Sequence, residues 1–401
     1  MSERQFPVIV VLGTTQTLAW ASSYYIPAIL ADTIAKELGV STVWIFGAFS
    51  VSLLISALLG PRVGRQIDAF GGNGVLAASN VVLAAGLVLL GLAQGLPLLC
   101  AAWLVLGVGM GLGLYDSAFA ALGRIYGANA RRAITGITLI AGFASTVGWP
   151  LTAWGAAEIG WRNTCFAWAA AHILAGLPMN LFLLPRPAGT VGAAATQALQ
   201  RKPQVPFDRR MMILAIAFAA GWIVTGAMAA HFPRLLEASG ASAAQAIAAG
   251  ALIGPAQVAA RMLEAGFLSR FHPLVSARLA TITHPIGAAV LLIAGGGVAS
   301  SAFAVLHGSG NGVLTIARGT VPLSIFGPEN YGYRLGLIGA PARISQAFAP
   351  LAFGLLIDTM GTGALWASAS LSLIALCALC LLTIEQAGSA GDPGSSHSER
   401  S

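Results

Sequence analysis

The sequence predicts an all-α membrane protein of twelve transmembrane helices in two related six-helix halves, and three observations predict it. Of its residues, 57% are hydrophobic and only 9% charged, against about 25% charged in a soluble domain. The apolar residues come in successive runs of about 20, the length that crosses a hydrocarbon core of about 30 Å as a helix. A composition break near the midpoint separates two sets of such runs. The alternating ten-residue pattern of a membrane barrel is missing, and helices are the other structure that satisfies every backbone group in lipid.

Taken in order, the runs place spans at 6–34, 42–61, 73–94, 97–123, 134–157 and 163–185, then 211–233, 243–268, 279–299, 301–326, 335–357 and 363–384. Turn sequences such as Gly71-Gly72-Asn73-Gly74, Gln94-Gly95-Leu96-Pro97 and Gly327-Pro328-Glu329-Asn330 punctuate them. Residues 1–185 form the first half and 211–385 the second. Between them, 186–210 lose hydrophobicity and gain Pro, Gly, Gln and basic residues, as a cytoplasmic central loop would. The polar tail, 386–401, reads as disordered. The first apolar run is too long for a cleavable signal peptide and reads as span one.

The net charge of +7 gives no nucleic-acid stripe, because the arginines and lysines sit in short loops. Fifteen of them fall in loops on one side and three (Lys36, Arg162, Arg234) on the other. By the positive-inside rule both termini face the cytoplasm, here that of a bacterial inner membrane. Cys100, Cys165, Cys377 and Cys380 all lie in apolar segments, and Cys377 and Cys380 read as small apolar residues of one helix, not a redox pair.

An internal repeat relates the halves. Gly109-Met110-Gly111-Leu112-Gly113 is echoed by Gly308-Ser309-Gly310-Asn311-Gly312, and Pro150-Leu151 with Glu158 by Pro350-Leu351 with Asp358, at offsets of 199 and 200. Parallel repeats of this kind form a transporter architecture with the substrate site at their interface. The glycines, with no strand before them, are no nucleotide loop. They read as close helix packing or as a sliding surface for alternating access.

After span two stands Gly60-Pro61-Arg62-Val63-Gly64-Arg65-Gln66-Ile67-Asp68-Ala69-Phe70-Gly71. It resembles the signature loop between the second and third helices of the major facilitator superfamily, in the form seen in its monocarboxylate and oxalate–formate branches. Val63 stands where the commoner form has an acid. The resemblance implies the major facilitator fold and secondary active transport. It gives Gly60, Gly64, Arg65 and Asp68 a role in locking the cytoplasmic side. The counterpart after span eight, Gly266 to Arg270, is degenerate. Gly148-Trp149-Pro150 in span five looks like a loosened version of the Gly-Pro motif of proton-driven exporters.

Ionisable residues inside a span are functional candidates by default. They are Asp116, Arg261, Glu264, Arg318 and Arg343. Asp116 follows Gly109 by seven residues and Arg318 follows Gly308 by ten. The difference is close to one turn, so both lie on similar faces of equivalent helices. In the superfamily these helices border the central cavity, so Asp116 and Arg318 are expected to face it, as a gate pair or as a proton and anion site. Arg261 and Glu264, at i and i+3, are expected to pair on one face. The resemblance offers Arg261 as a carboxylate ligand, although Met262 holds the aligned place. Gln16, Trp20, Tyr24 and Tyr25 fit a cavity wall, as do Asn311 and Gln346. His231, expected to end span seven, could titrate near neutral pH.

A membrane enzyme is the competing class. His307-Gly308-Ser309-Gly310 carries a serine beside a histidine but lacks the first glycine of an intramembrane protease motif, and the repeat accounts for its glycines. No ATP-binding motif and no cofactor or metal signature occurs. The expected partners are a small solute with a preference for an organic anion, protons and the lipid bilayer, with the protein a monomer. The alternative is a proton-driven exporter of drugs or metabolites.

Overall fold

The computed structural model describes residues 5–185 and 205–383; most of the central loop and all of the tail read from sequence lie outside the described residues. Eight described helical stretches are long and apolar enough to cross a membrane. Two of them, Leu96–Glu158 and Tyr331–Cys380, hold two passes each, being far longer than one crossing at 1.5 Å per residue. Two further passes complete the twelve. Span one is Gln5–Ala19, a π-helical turn at Trp20–Tyr24, and Ile26–Leu38. Span ten is the glycine-rich helix Gly296–Phe326.

The remaining spans are Thr42–Phe70 (two), Gly72–Leu92 (three), Leu96–Gly113 with Tyr115–Tyr126 (four), Arg131–Ala141 with Ala144–Glu158 (five), and Gly160–Ala171 continuing through π turns to Leu183 (six). The second half has Arg209–Ala238 (seven), Ala243–Gly266 (eight), Pro273–Ala294 (nine), Tyr331–Met360 (eleven) and Ala364–Cys380 (twelve). The packing repeats between halves. Span three lies on four and six as nine lies on ten and twelve; two lies on four as eight lies on ten; one lies on five as seven lies on eleven. The fold is therefore two pseudo-symmetric six-helix bundles.

The glycine runs explain this symmetry atom by atom. In span four Gly107 and Gly111 meet the backbone of Ser52 and Ser56 in span two, while Gly109 and Gly113 meet Leu83 and Ser79 in span three. In span ten Gly308 and Gly312 meet Ile253 and Gln257 in span eight, while Gly310 meets Ala280 and Thr283 in span nine. A Cβ at most of these positions would overlap its neighbour. The run is thin on two sides because two helices press into it.

The structure corrects three boundaries. The signature segment expected as a loop is helical to Phe70, with Pro61 inside the helix, so Arg65 and Asp68 ride on its last turns. Pro233 does not end span seven, which continues to Ala238. His231 therefore lies within the helix. Span nine begins at Pro273, with His272 as N-cap accepting from the Leu274 N–H; apolarity alone could not see a cap.

Candidate functional site

The halves meet along two seams that include the arginine-rich end, and the span two–eleven seam runs on past it to Ser50, which donates to the Ala347 carbonyl at 3.2 Å. Span two packs on span eleven, and span eight packs on the first segment of span five but scarcely on the second. Under the pseudo-twofold these two seams are equivalents. In the first, Gly60 faces Gly336 and Gly64 faces Gly332 so closely that a Cβ at Gly64 would overlap the Gly332 carbonyl. The half-buried Asp68 then accepts the N–H groups of Gly332 and Tyr333, each at 2.8 Å. These are orphan donors in the first turn of span eleven, whose own N-cap residue, Asn330, provides no side-chain cap. The Arg65 guanidinium lies 5.9 Å from the Tyr333 ring centroid.

In the second seam Arg131 reaches across to Glu264 at 2.9 Å and to the carbonyls of Phe271 at 2.6 Å and Leu268 at 3.3 Å. This overturns the expected Arg261–Glu264 pair. Glu264, 1% exposed, has a partner from the other half. Arg261 instead donates to three oxygens without a formal charge: Thr138 O at 3.0 Å, Gly312 O at 3.2 Å and Gln257 Oε1 at 3.5 Å. The i, i+3 rule governs isolated helices, and here a closer acceptor set lies on neighbouring spans. Beside this seam, on the outside of the membrane-spanning core, burial and the cations Arg131 and Arg278 hold the His272 imidazole below its usual value.

Between the seams, near mid-membrane, lies a charge cluster. Asp116 Oδ2 accepts from Arg318 at 2.5 Å and also from Arg343. The three side chains are 6%, 7% and 8% exposed. Asp116 comes from the first half and both arginines from the second. Local structure sets the carboxylate: span four breaks at Leu114, so Asp116 sits in the first turn of Tyr115–Tyr126, where the helix dipole favours a negative charge. The break frees the Gly113 carbonyl, and Gln16 Nε2 caps it at 2.6 Å. Gln16 therefore ties span one to span four inside the first half and is buried. Across the cluster, Gly339 leaves the space that Asp116 and Arg318 fill. The Arg318 guanidinium lies 5.0 Å from the Trp222 ring centroid, and Arg343 also donates to the Ser56 carbonyl at 3.3 Å. Asp116 Oδ1 is buried with no partner.

Beside the cluster, span one contributes aromatic rings. Trp20 lies 5.0 Å from both Tyr24 and Tyr115 and 6.0 Å from Tyr25, while Tyr25 meets Trp149 at 6.1 Å. The Trp20 Nε1 donor is buried and unbonded. Tyr24 accepts from Gln346 Nε2 of the other half at 2.7 Å. The other expected residues stand apart. Asn311 accepts from Thr225 at 3.1 Å inside the second half, and His231 donates to the Pro350 carbonyl at 2.7 Å. Sequence reasoning missed the buried pair His284–His307 as a pair. Each is an ionisable side chain in mid-span, which was signal enough.

A family model described as the Major Facilitator Superfamily matches residues 12–304. The chain belongs to this superfamily. As a member it is a multi-pass membrane transporter, not an enzyme. A 27% identical protein from Thermoproteus tenax, described as an uncharacterized 38 kDa protein in a 23S RNA operon, aligns over 359 residues, 86% of this chain and 87% of that one. Solved structures share the fold. The human organic anion transporter MFSD10 has a TM-score of 0.72 at 16% identity, covering 94% of this chain and 100% of that one. The proton:xylose symporter XylE bound to 6-bromo-6-deoxy-D-glucose has 0.70 at 14%, covering 93% and 94%. FucP in the outward conformation has 0.69 at 13%, covering 93% and 98%.

Proposed function

We propose that this superfamily member moves a small organic anion, a carboxylate, across a bacterial inner membrane by proton-coupled alternating access, as a monomer. The reading takes residues 1–185 and 211–385 as the moving halves and puts the arginine-rich end and the 186–210 loop in the cytoplasm. One observation carries it: at the interface of the halves two buried guanidiniums, Arg318 and Arg343, face a single carboxylate, Asp116, while a third, the buried Arg261, donates only to uncharged oxygens. A buried cation without a counter-ion is costly, and a bound carboxylate would supply one. The unbonded Trp20 donor beside the cluster favours an acceptor-bearing solute. One fold relative, the human protein MFSD10, is an organic anion transporter, in keeping with this reading.

In this reading a substrate carboxylate competes with Asp116 for Arg318 and Arg343, and the released Asp116 takes a proton. The seams then separate: Asp68 leaves span eleven, Arg131 leaves Glu264, and the cluster is exposed to the cytoplasm. The signature segment around Gly60, Gly64, Arg65 and Asp68 is the gate, and its likeness to the monocarboxylate and oxalate–formate branches supports the substrate class. A thermal-shift screen of mono- and dicarboxylates against amphiphilic cations, followed by proteoliposome uptake of any stabilising acid under an imposed proton gradient, tests the reading. Stabilisation and saturable uptake that disappear in Arg318→Gln are expected. Stabilisation by cations alone would instead mark a proton-driven exporter, in keeping with Gly148-Trp149-Pro150.

A further inference from the structure

Each half buries a histidine that links its third and sixth helices. In the first half His172 Nδ1 meets Asn80 Oδ1 at 2.8 Å and its Nε2 meets Ser22 at 2.7 Å. Both nitrogens are engaged and the ring is sealed. In the second half His284 Nε2 meets Ser368 at 3.0 Å, and His284 Nδ1 meets His307 Nδ1 at 3.0 Å.

Hydrogen-bond accounting fixes the tautomers. The Ser368 hydroxyl donates to the Leu365 carbonyl at 3.0 Å, so its oxygen accepts from His284 Nε2–H. A neutral His284 then presents a lone pair at Nδ1, and His307 must donate to it through Nδ1–H. That leaves the His307 Nε2 lone pair with no hydrogen-bonded protein partner, and this nitrogen is not among the sealed, unbonded buried atoms. One proton can therefore be added to this network without breaking any bond in it.

We propose that the His284–His307 pair is a proton-binding site of the second half, taking one proton at His307 Nε2. The imidazolium so formed strengthens its bond to His284 by charge assistance. It also lies against the rings of Phe232 at 6.1 Å and Phe303 at 6.0 Å, whose faces attract a cation. The groups packed on the pair bring no competing charge: span seven presents Phe232, span nine His284, span ten Phe303 and span twelve Ser368. The other titratable side chain of span seven at this level, His231, is turned to Pro350. Phe232 directly precedes Pro233, which interrupts the hydrogen-bond ladder of span seven. A charge on His307 thus acts on the helix where it is most easily bent. The site goes beyond the anion reading and does not involve Asp116.

The test is ¹⁵N NMR of histidine-labelled full chain in lipid bilayers between pH 8 and pH 5. The His284–His307 ring contact identifies the pair among the six histidines. We expect His307 to gain a second N–H while keeping the Nδ1 contact, and this signal to be lost in His307→Gln and retained in His172→Asn and Asp116→Asn. A wild-type His307 that stays neutral to pH 5 overturns the proposal. So does loss of the signal in Asp116→Asn, which would show that His307 is protonated only in concert with the central cluster and is no separate site. Because the wild-type titration is itself decisive, an unfolded His307→Gln leaves the test intact.

Discussion

The two seams between the halves are equivalents under the pseudo-twofold, yet different chemistry closes them. The span two–eleven seam is backbone on backbone: glycine faces glycine, and the one carboxylate, Asp68, caps peptide N–H groups. The span five–eight seam is built by side chains, an Arg131–Glu264 ion pair with Arg261 reaching the Thr138 carbonyl across it. The first depends on shape and the second on charge, so the same motion can be biased independently through either.

Breaking the shape seam has the largest expected effect. Gly64→Leu puts a side chain into the Gly332 backbone, an overpacking penalty of about 3 kcal/mol or more against closure, roughly a hundredfold in the open population. Maleimide labelling of a cysteine at the buried Leu335 should rise accordingly, and unchanged labelling would mean that the seam is not the gate. Glu264→Gln comes next. It costs closure about 1.5–3 kcal/mol, the worth of a charged hydrogen bond, because Arg131 keeps two carbonyl partners. The double variant with Arg131→Gln should recover part of that labelling; additive losses would deny the coupling. Asp68→Asn is milder, at about 1 kcal/mol, since an amide oxygen still accepts one N–H. Salt separates the seams most gently. Raising ionic strength from about 0.05 M to about 1 M screens the partly exposed Arg131, so wild-type labelling should rise slightly and Glu264→Gln labelling should not.

Much of this architecture was legible because lipid is a strict solvent. Apolar length alone marked the spans, and the glycine echo paired four with ten and so brought Asp116 toward Arg318. Arg343 was not legible as the second partner of Asp116, because nothing local joins residues 227 apart across two halves. Arg261 and Glu264 misled for the same reason. Their spacing satisfies a local rule, while Arg131 and the free carbonyls that win lie on other helices. Gln16 fitted a cavity wall by polarity alone, and only the break at Leu114 reveals that it caps Gly113. The helical ends past the bilayer escaped because polarity rises there while the helix continues.

The central cluster also has an electrical side. Two guanidiniums and one carboxylate, Arg318, Arg343 and Asp116, leave one net positive charge at the interface of the halves, and a monocarboxylate that binds while Asp116 takes a proton leaves that sum unchanged. Each elementary charge crossing the whole field is worth about 2.3 kcal/mol per 100 mV. In the proposed cycle the empty and the monocarboxylate-laden carrier should therefore show the same voltage dependence, and a steeper dependence of the empty carrier would mean that Asp116 does not take the proton.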